Sequence, residues 1–133
     1  SYLYIFFNLF TDIFISFTLK TLNDGKTFEN SIVPKLMLIK LLNPNAKLHH
    51  GFMSREKLVE KGISTDVIDS LEKIFNNVDN SYYTEAGVSR ITMAKKALAL
   101  NAPVFVIGDV TAGVLEEVEI YLLQGVQIYY LKY

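Results

Sequence analysis

"VFVI", Val104 to Ile107, is four apolar residues in a row. A short turn with Asp109, Thr111 and Gly113 follows, then a helical stretch, Gly113–Gln124, that opens on three glutamates. A second apolar run closes the chain at Val126–Leu131. A strand that is apolar without alternation belongs in a sheet covered on both faces. Strand, helix, strand in that order predicts a parallel pair joined by a crossover. The expected fold is therefore α/β, a single-domain Rossmann-like open sheet, mostly parallel, with helices on both faces. In such folds ligands sit beyond the carboxyl ends of the strands, and Asp109, Thr111 and Gly113 lie at one such end.

The rest of the chain supplies further elements. Tyr2–Phe7 has strand length and ends at Asn8. Thr11 or Asp12 is then placed to cap a helix in which Ile13, Phe14, Phe17 and Leu22 recur, stopped by Asn23-Asp24-Gly25. The β-branched and aromatic residues of Asp12–Leu19 keep a strand open as the alternative. Thr27–Val33 reads as a weak strand before Pro34, Lys35–Leu42 as a short helix, and 43–53 as an irregular polar segment. Ser54 is placed to cap Arg55–Lys61, with Gly62 after it. Ser64 or Thr65 opens a helix with Val67, Ile68, Leu71, Ile74 and Phe75 on its apolar face. Residues 76–83 read as a connector. Thr84 opens a helix to Leu100 that turns Ile91, Ala94, Ala97 and Leu98 inward.

Composition removes several classes of function. The 133 residues suit one domain, 1–133, and half of them are hydrophobic, far from the disordered range. Thirteen basic and fourteen acidic residues are scattered without a basic stripe, so nucleic-acid binding has no electrostatic footprint. The absence of cysteine excludes disulfides and thiolate chemistry and fits a cytoplasmic protein. The apolar N-terminal run lacks a positive leader, and Asp12 within it costs about 2.5–3.5 kcal/mol on membrane insertion, so no membrane role is expected.

Asp109, Gly113, Glu117 and Gly125 form a spaced set: an acidic turn, a glycine, a glutamate four residues on, and a glycine eight residues later before the last strand. With "NLFTD" (8–12) and "FENSIVP" (28–34), this set resembles the nucleoside 2-deoxyribosyltransferase-like family over roughly 1–34 and 84–131. Residues 35–83 form a family-atypical helical region. The resemblance implies cleavage or transfer at the N-glycosidic bond of a nucleoside or nucleotide, with Glu117 as nucleophile and Asp109 orienting sugar hydroxyls. It implies Gly113 and Thr111 beside a helix N-terminus suited to phosphate, and Asn8 and Phe10 as sugar or base contacts on the same rim. No cofactor or metal is implied. Members complete their sites across subunits, so a homo-oligomer is expected. The stretch 92–101 lacks the acidic residue that many members place there.

Simpler readings stand beside these. Glu116, Glu117 and Glu119 also suit a solvated first half of a helix, where carboxylates gain about 0.3–1 kcal/mol from the macrodipole. Asp109 also suits a turn. His49-His50 reads as a loop pair, and Asp66, Asp69 and Glu72 as an exposed helix face. "TDIFISF" (11–17) resembles the first strand of a Toll/interleukin-receptor domain, which would make 12–19 a strand and require a catalytic glutamate near mid-chain. The alternatives to glycosidic chemistry are a non-catalytic binder of a nucleotide-like ligand and a structural oligomer.

Overall fold

The computed structural model describes residues 10–51, 55–75 and 86–132. Its centre is β1, Asp12–Ser16, where four of five residues are buried. Ile13, Phe14 and Ile15 follow one another because both faces of this strand are covered. Full burial of each contributes about 1.5–3 kcal/mol. The same fact decides between the two readings of this stretch: Asp12–Ser16 is the strand held open as the alternative, and the helix expected from Thr11 or Asp12 is corrected. A doubly covered strand needs no alternation, and the apparent helical recurrence of its apolar residues arises from that. The helix starts only after Thr18, as α1, Leu19–Asn23.

Asp24 then caps α2, Gly25–Thr27, accepting from the Thr27 hydroxyl at 2.8 Å. A π-helical turn, Phe28–Ile32, leads into α3, Val33–Leu42. The strand expected over Thr27–Val33 is thus helical. Pro34 falls in the first turn of α3, where a missing N–H is tolerated, and Phe28 and Ile32 reach the core from this helical stretch.

β2, Lys47–His50, lies in the segment expected to be irregular. Its histidines are buried members of the sheet and not loop residues. His49 stacks on Phe14 with ring centres 4.8 Å apart, and its Nε2 lies 2.9 Å from Asp12 Oδ1. His50 meets the edge of Phe75. These partners let a polar sequence form a largely buried strand at one edge of the described sheet.

α4, Arg55–Glu60, ends at Gly62, whose φ of 84° is the left-handed turn expected of it. Ser64 caps α5, Thr65–Ile74, which buries Val67, Ile68 and Leu71 as the pattern predicts. Ser54, Thr84 and the 76–83 connector lie outside the described residues, as do the Tyr2–Phe7 strand and Asn8. α6, Ala86–Ala99, buries Met93, Ala94 and Ala97, whereas Ile91 and Leu98, expected inward, are exposed. β3, Val104–Ile107, α7, Ala112–Leu123, and β4, Ile128–Leu131, complete the chain.

The four described strands are all parallel, in the order β2-β1-β3-β4. Helices α1, α3, α4 and α5, with the π-helical turn, cover the Ile13, Ile15 and Phe105 face. Helices α6 and α7 cover the Phe14, Val104 and Val106 face. This is the expected α/β open sheet. Chain order reverses between β1 and β3, which makes the carboxyl ends of those strands the natural crevice. Among the described residues no helix is long and apolar enough to cross a membrane.

Candidate functional site

Gly108 ends β3 with φ 82°, and Thr111 caps α7 by accepting from the Val114 amide at 3.4 Å. Val114 and Tyr121 are the buried residues of α7, with Val118 half-buried against the same core. Those positions define the inward face of the helix, and Glu117 lies on it between Val114 and Tyr121, one turn from each. Glu116 and Glu119 are exposed, while Glu117 is half-buried. The three glutamates therefore do not share one environment.

The Glu117 carboxyl is closely surrounded. Burial pushes it above the ordinary carboxylate range, against the opposing pull of the Ser16 hydroxyl and the Arg90 guanidinium. Ser16 ends β1. Gly51 follows β2, and a Cβ built there would lie 2.5 Å from Met93 Sδ and 4.0 Å from Glu117 Oε1. The carboxyl thus sits over the ends of β1 and β2, walled by Met93 of α6. Arg90, also on α6, donates to Glu116 at 2.7 Å and places its other terminal nitrogen 3.7 Å from where a Gly113 side chain would begin. One cation therefore bridges the outer glutamate and the start of α7 while acting on Glu117.

Asp109, Thr111 and Gly113 stand exposed on the same rim, in the turn that leads into Glu117. Phe10 does not join them. It precedes β1, packs edge-on against Tyr129 with ring centres 6.4 Å apart, and lines a hollow of about 220 Å³ with Ala97, Pro103 and Gln127. That hollow is at the amino ends of the strands, the wrong end for Glu117. The displacement follows from the strand itself: with β1 at Asp12–Ser16, the residue delivered to the rim is Ser16, and Phe10 enters from below. Asn8 lies outside the described residues.

Ser16, Gly51, Met93 and Arg90 are the neighbours that the sequence reading did not single out. Ser16 had a signal, since reading "DIFIS" as a buried strand makes its last residue a rim residue. Gly51 had none, because the strand before it is hidden in a polar stretch. Among the described residues no group of three or more His, Asp or Glu is arranged to hold a metal. Of the mid-chain glutamates that a Toll/interleukin-receptor reading requires, Glu56, Glu60 and Glu72 are exposed. Glu72 is held by Arg55 at 3.0 Å.

The chain matches no family model, no curated protein and no solved structure.

Proposed function

We propose that the protein acts on the N-glycosidic bond of a nucleoside or nucleotide, with Glu117 as the attacking carboxylate. The observation that carries this reading is the contrast within α7: Glu117 is turned inward at the strand ends beside Ser16 and Gly51, while Glu116 and Glu119 face solvent. In the proposed step a Glu117 oxygen bonds to the anomeric carbon. The carbon–nitrogen bond breaks, its electron pair leaves with the base, and the base takes up a proton. Water or a second base then attacks the same carbon and releases the carboxylate. Asp109 would orient sugar hydroxyls from the exposed turn, with Thr111 and Gly113 lining the approach to α7. Arg90 supplies positive charge that favours the ionised, attacking form of Glu117.

Incubation with a panel of nucleosides and nucleotides tests the reading directly. Release of free base by the native chain, lost in Glu117→Gln, is the supporting result. No release from any member of the panel would remove the enzymatic claim.

One observation favours a second reading. Burial raises the Glu117 pKa, and a protonated carboxyl is a hydrogen-bond donor to a ligand, not a nucleophile. A non-catalytic binder of a nucleotide-like ligand at the same rim would show ligand-dependent thermal stabilisation without base release. Both readings are accompanied by a homo-oligomer, supported by the apolar residues that α7 leaves exposed, Leu115, Leu122 and Leu123.

A further inference from the structure

We propose that Ser16 is a positioning residue, whose hydroxyl holds the Glu117 carboxylate in its working orientation. This rests on the reading of Glu117 as the working carboxylate. The strand register supplies the geometry. Ile15 pairs with His50, so the next residues along, Ser16 and Gly51, lie side by side at the rim. Both occupy the sheet face that carries Phe14 and His49 two residues earlier. Glu117 Oε1 stands 4.0 Å from the Cβ position of Gly51, so the carboxyl lies across the ends of these two strands with Ser16 beside it.

Ser16 is 4% exposed, and its Oγ is closed off from solvent without a well-formed hydrogen bond. Native proteins leave few buried hydroxyls in that state, because the group has given up its water. No substrate reaches an oxygen so enclosed, which leaves the Glu117 carboxyl as the group it serves. Hydrogen bonds of this kind are often long or misaligned in an empty site and tighten when the site is filled. Gly51 contributes by lacking a side chain: a Cβ there would collide with Met93 before it crowded the carboxyl. The described charged groups around Glu117 are Arg90 from α6, which acts on its carboxyl, Glu116 on its own helix, held by Arg90, and Asp109, exposed in the turn before α7. A change at Ser16 leaves all three in place.

The test follows the Glu117 carboxyl carbon by carbon-13 NMR across pH, the resonance being assigned by its loss in Glu117→Gln. Ser16→Ala is expected to raise the titration midpoint by about one pH unit, because a donor to the charged form has been removed. Ser16→Thr keeps the hydroxyl and is expected to titrate near the native midpoint. An unchanged midpoint in Ser16→Ala, or a shift in Ser16→Thr as large as in Ser16→Ala, would overturn the proposal. If Ser16→Ala does not fold, the native protein decides. The Ser16 Cβ resonance should move with the Glu117 midpoint and stay flat in Glu117→Gln, and a flat native response would overturn the proposal. None of these readouts needs turnover, so failure of the glycosidic reading shows separately, in the nucleoside panel.

Discussion

Replacing one carboxylate oxygen of Glu117 by an amide separates its chemistry from its place in the fold. If the side chain is the nucleophile, Glu117→Gln should lower turnover by several orders of magnitude. Its effect on stability has the opposite sign. The folded-state pKa is raised, so the stability contribution of Glu117 is complete below its unfolded value and is lost as pH rises through the folded value. The glutamine variant should therefore melt above the native protein at neutral pH, and the gap should close as pH falls toward the ordinary glutamate range. Thermal melts at a series of pH values check this. His50 titrates the other way. Burial, then the neighbouring His49, holds its imidazole down at about 3. The unfolded chain consequently takes up a proton below about 6.5 that the folded chain refuses, and native stability should fall as pH drops from that value toward about 3. Denaturant midpoints of the native chain and of His50→Phe should converge toward neutral pH and separate in acid, with the variant losing less.

At the scale of elements, legibility followed the physical setting. α5 and α7 announce themselves because one face is buried and the other wet, so a 3.6-residue period survives in the residues. β3 is legible because four apolar residues bounded by Pro103 and Gly108 have no other economical use. β1 is equally apolar, but Phe17 and Leu22 continue its run and imitate a helix. β2 is hidden because His49 and His50 bury polar rings against Asp12, Phe14 and Phe75, partners that only the fold supplies. The candidate site divides along the same line. Glu117 and its turn sit on legible elements, whereas Ser16 ends a strand whose residues leave helix and strand both open, and Gly51 follows a strand hidden in a polar stretch. The exit from α7 is a separate, testable element. Gly125 has φ 82°, and its amide and that of Val126 close back on Leu122 and Tyr121, each at 3.0 Å. No neighbour crowds its Cβ position, so conformation alone demands glycine there. Gly125→Ala should cost about 1–2 kcal/mol in equilibrium unfolding and leave the Glu117 titration unchanged.

For the molecule as a whole, several large apolar side chains of the described residues stand exposed. Leu123 is 80% exposed and Leu41 75%, with Leu115 and Leu122 beyond half. Where such residues lie close together, as they can on α7, they commonly mark an interface. Light scattering at about 10–50 μM, a range in which micromolar association is visible, should report a mass above that of one 15.1 kDa chain. The paired change Leu122→Glu and Leu123→Glu should return it to a monomer if α7 forms the contact. A monomeric native chain would exclude the assembly. The position of β1 carries a further consequence, one of timing. The strand at the middle of the sheet is the first of the described strands to be synthesised, yet Phe14 pairs with Val104, most of a chain length away. Until that distant segment emerges, β1 is an apolar ribbon with one side unclaimed. Loop closure over such a span makes folding slow, and the interval is when a chain is open to wrong partners. The sheet order that gathers Ser16, Gly51 and Glu117 at one rim therefore also ties the completion of that rim to the last part of the sheet to be made.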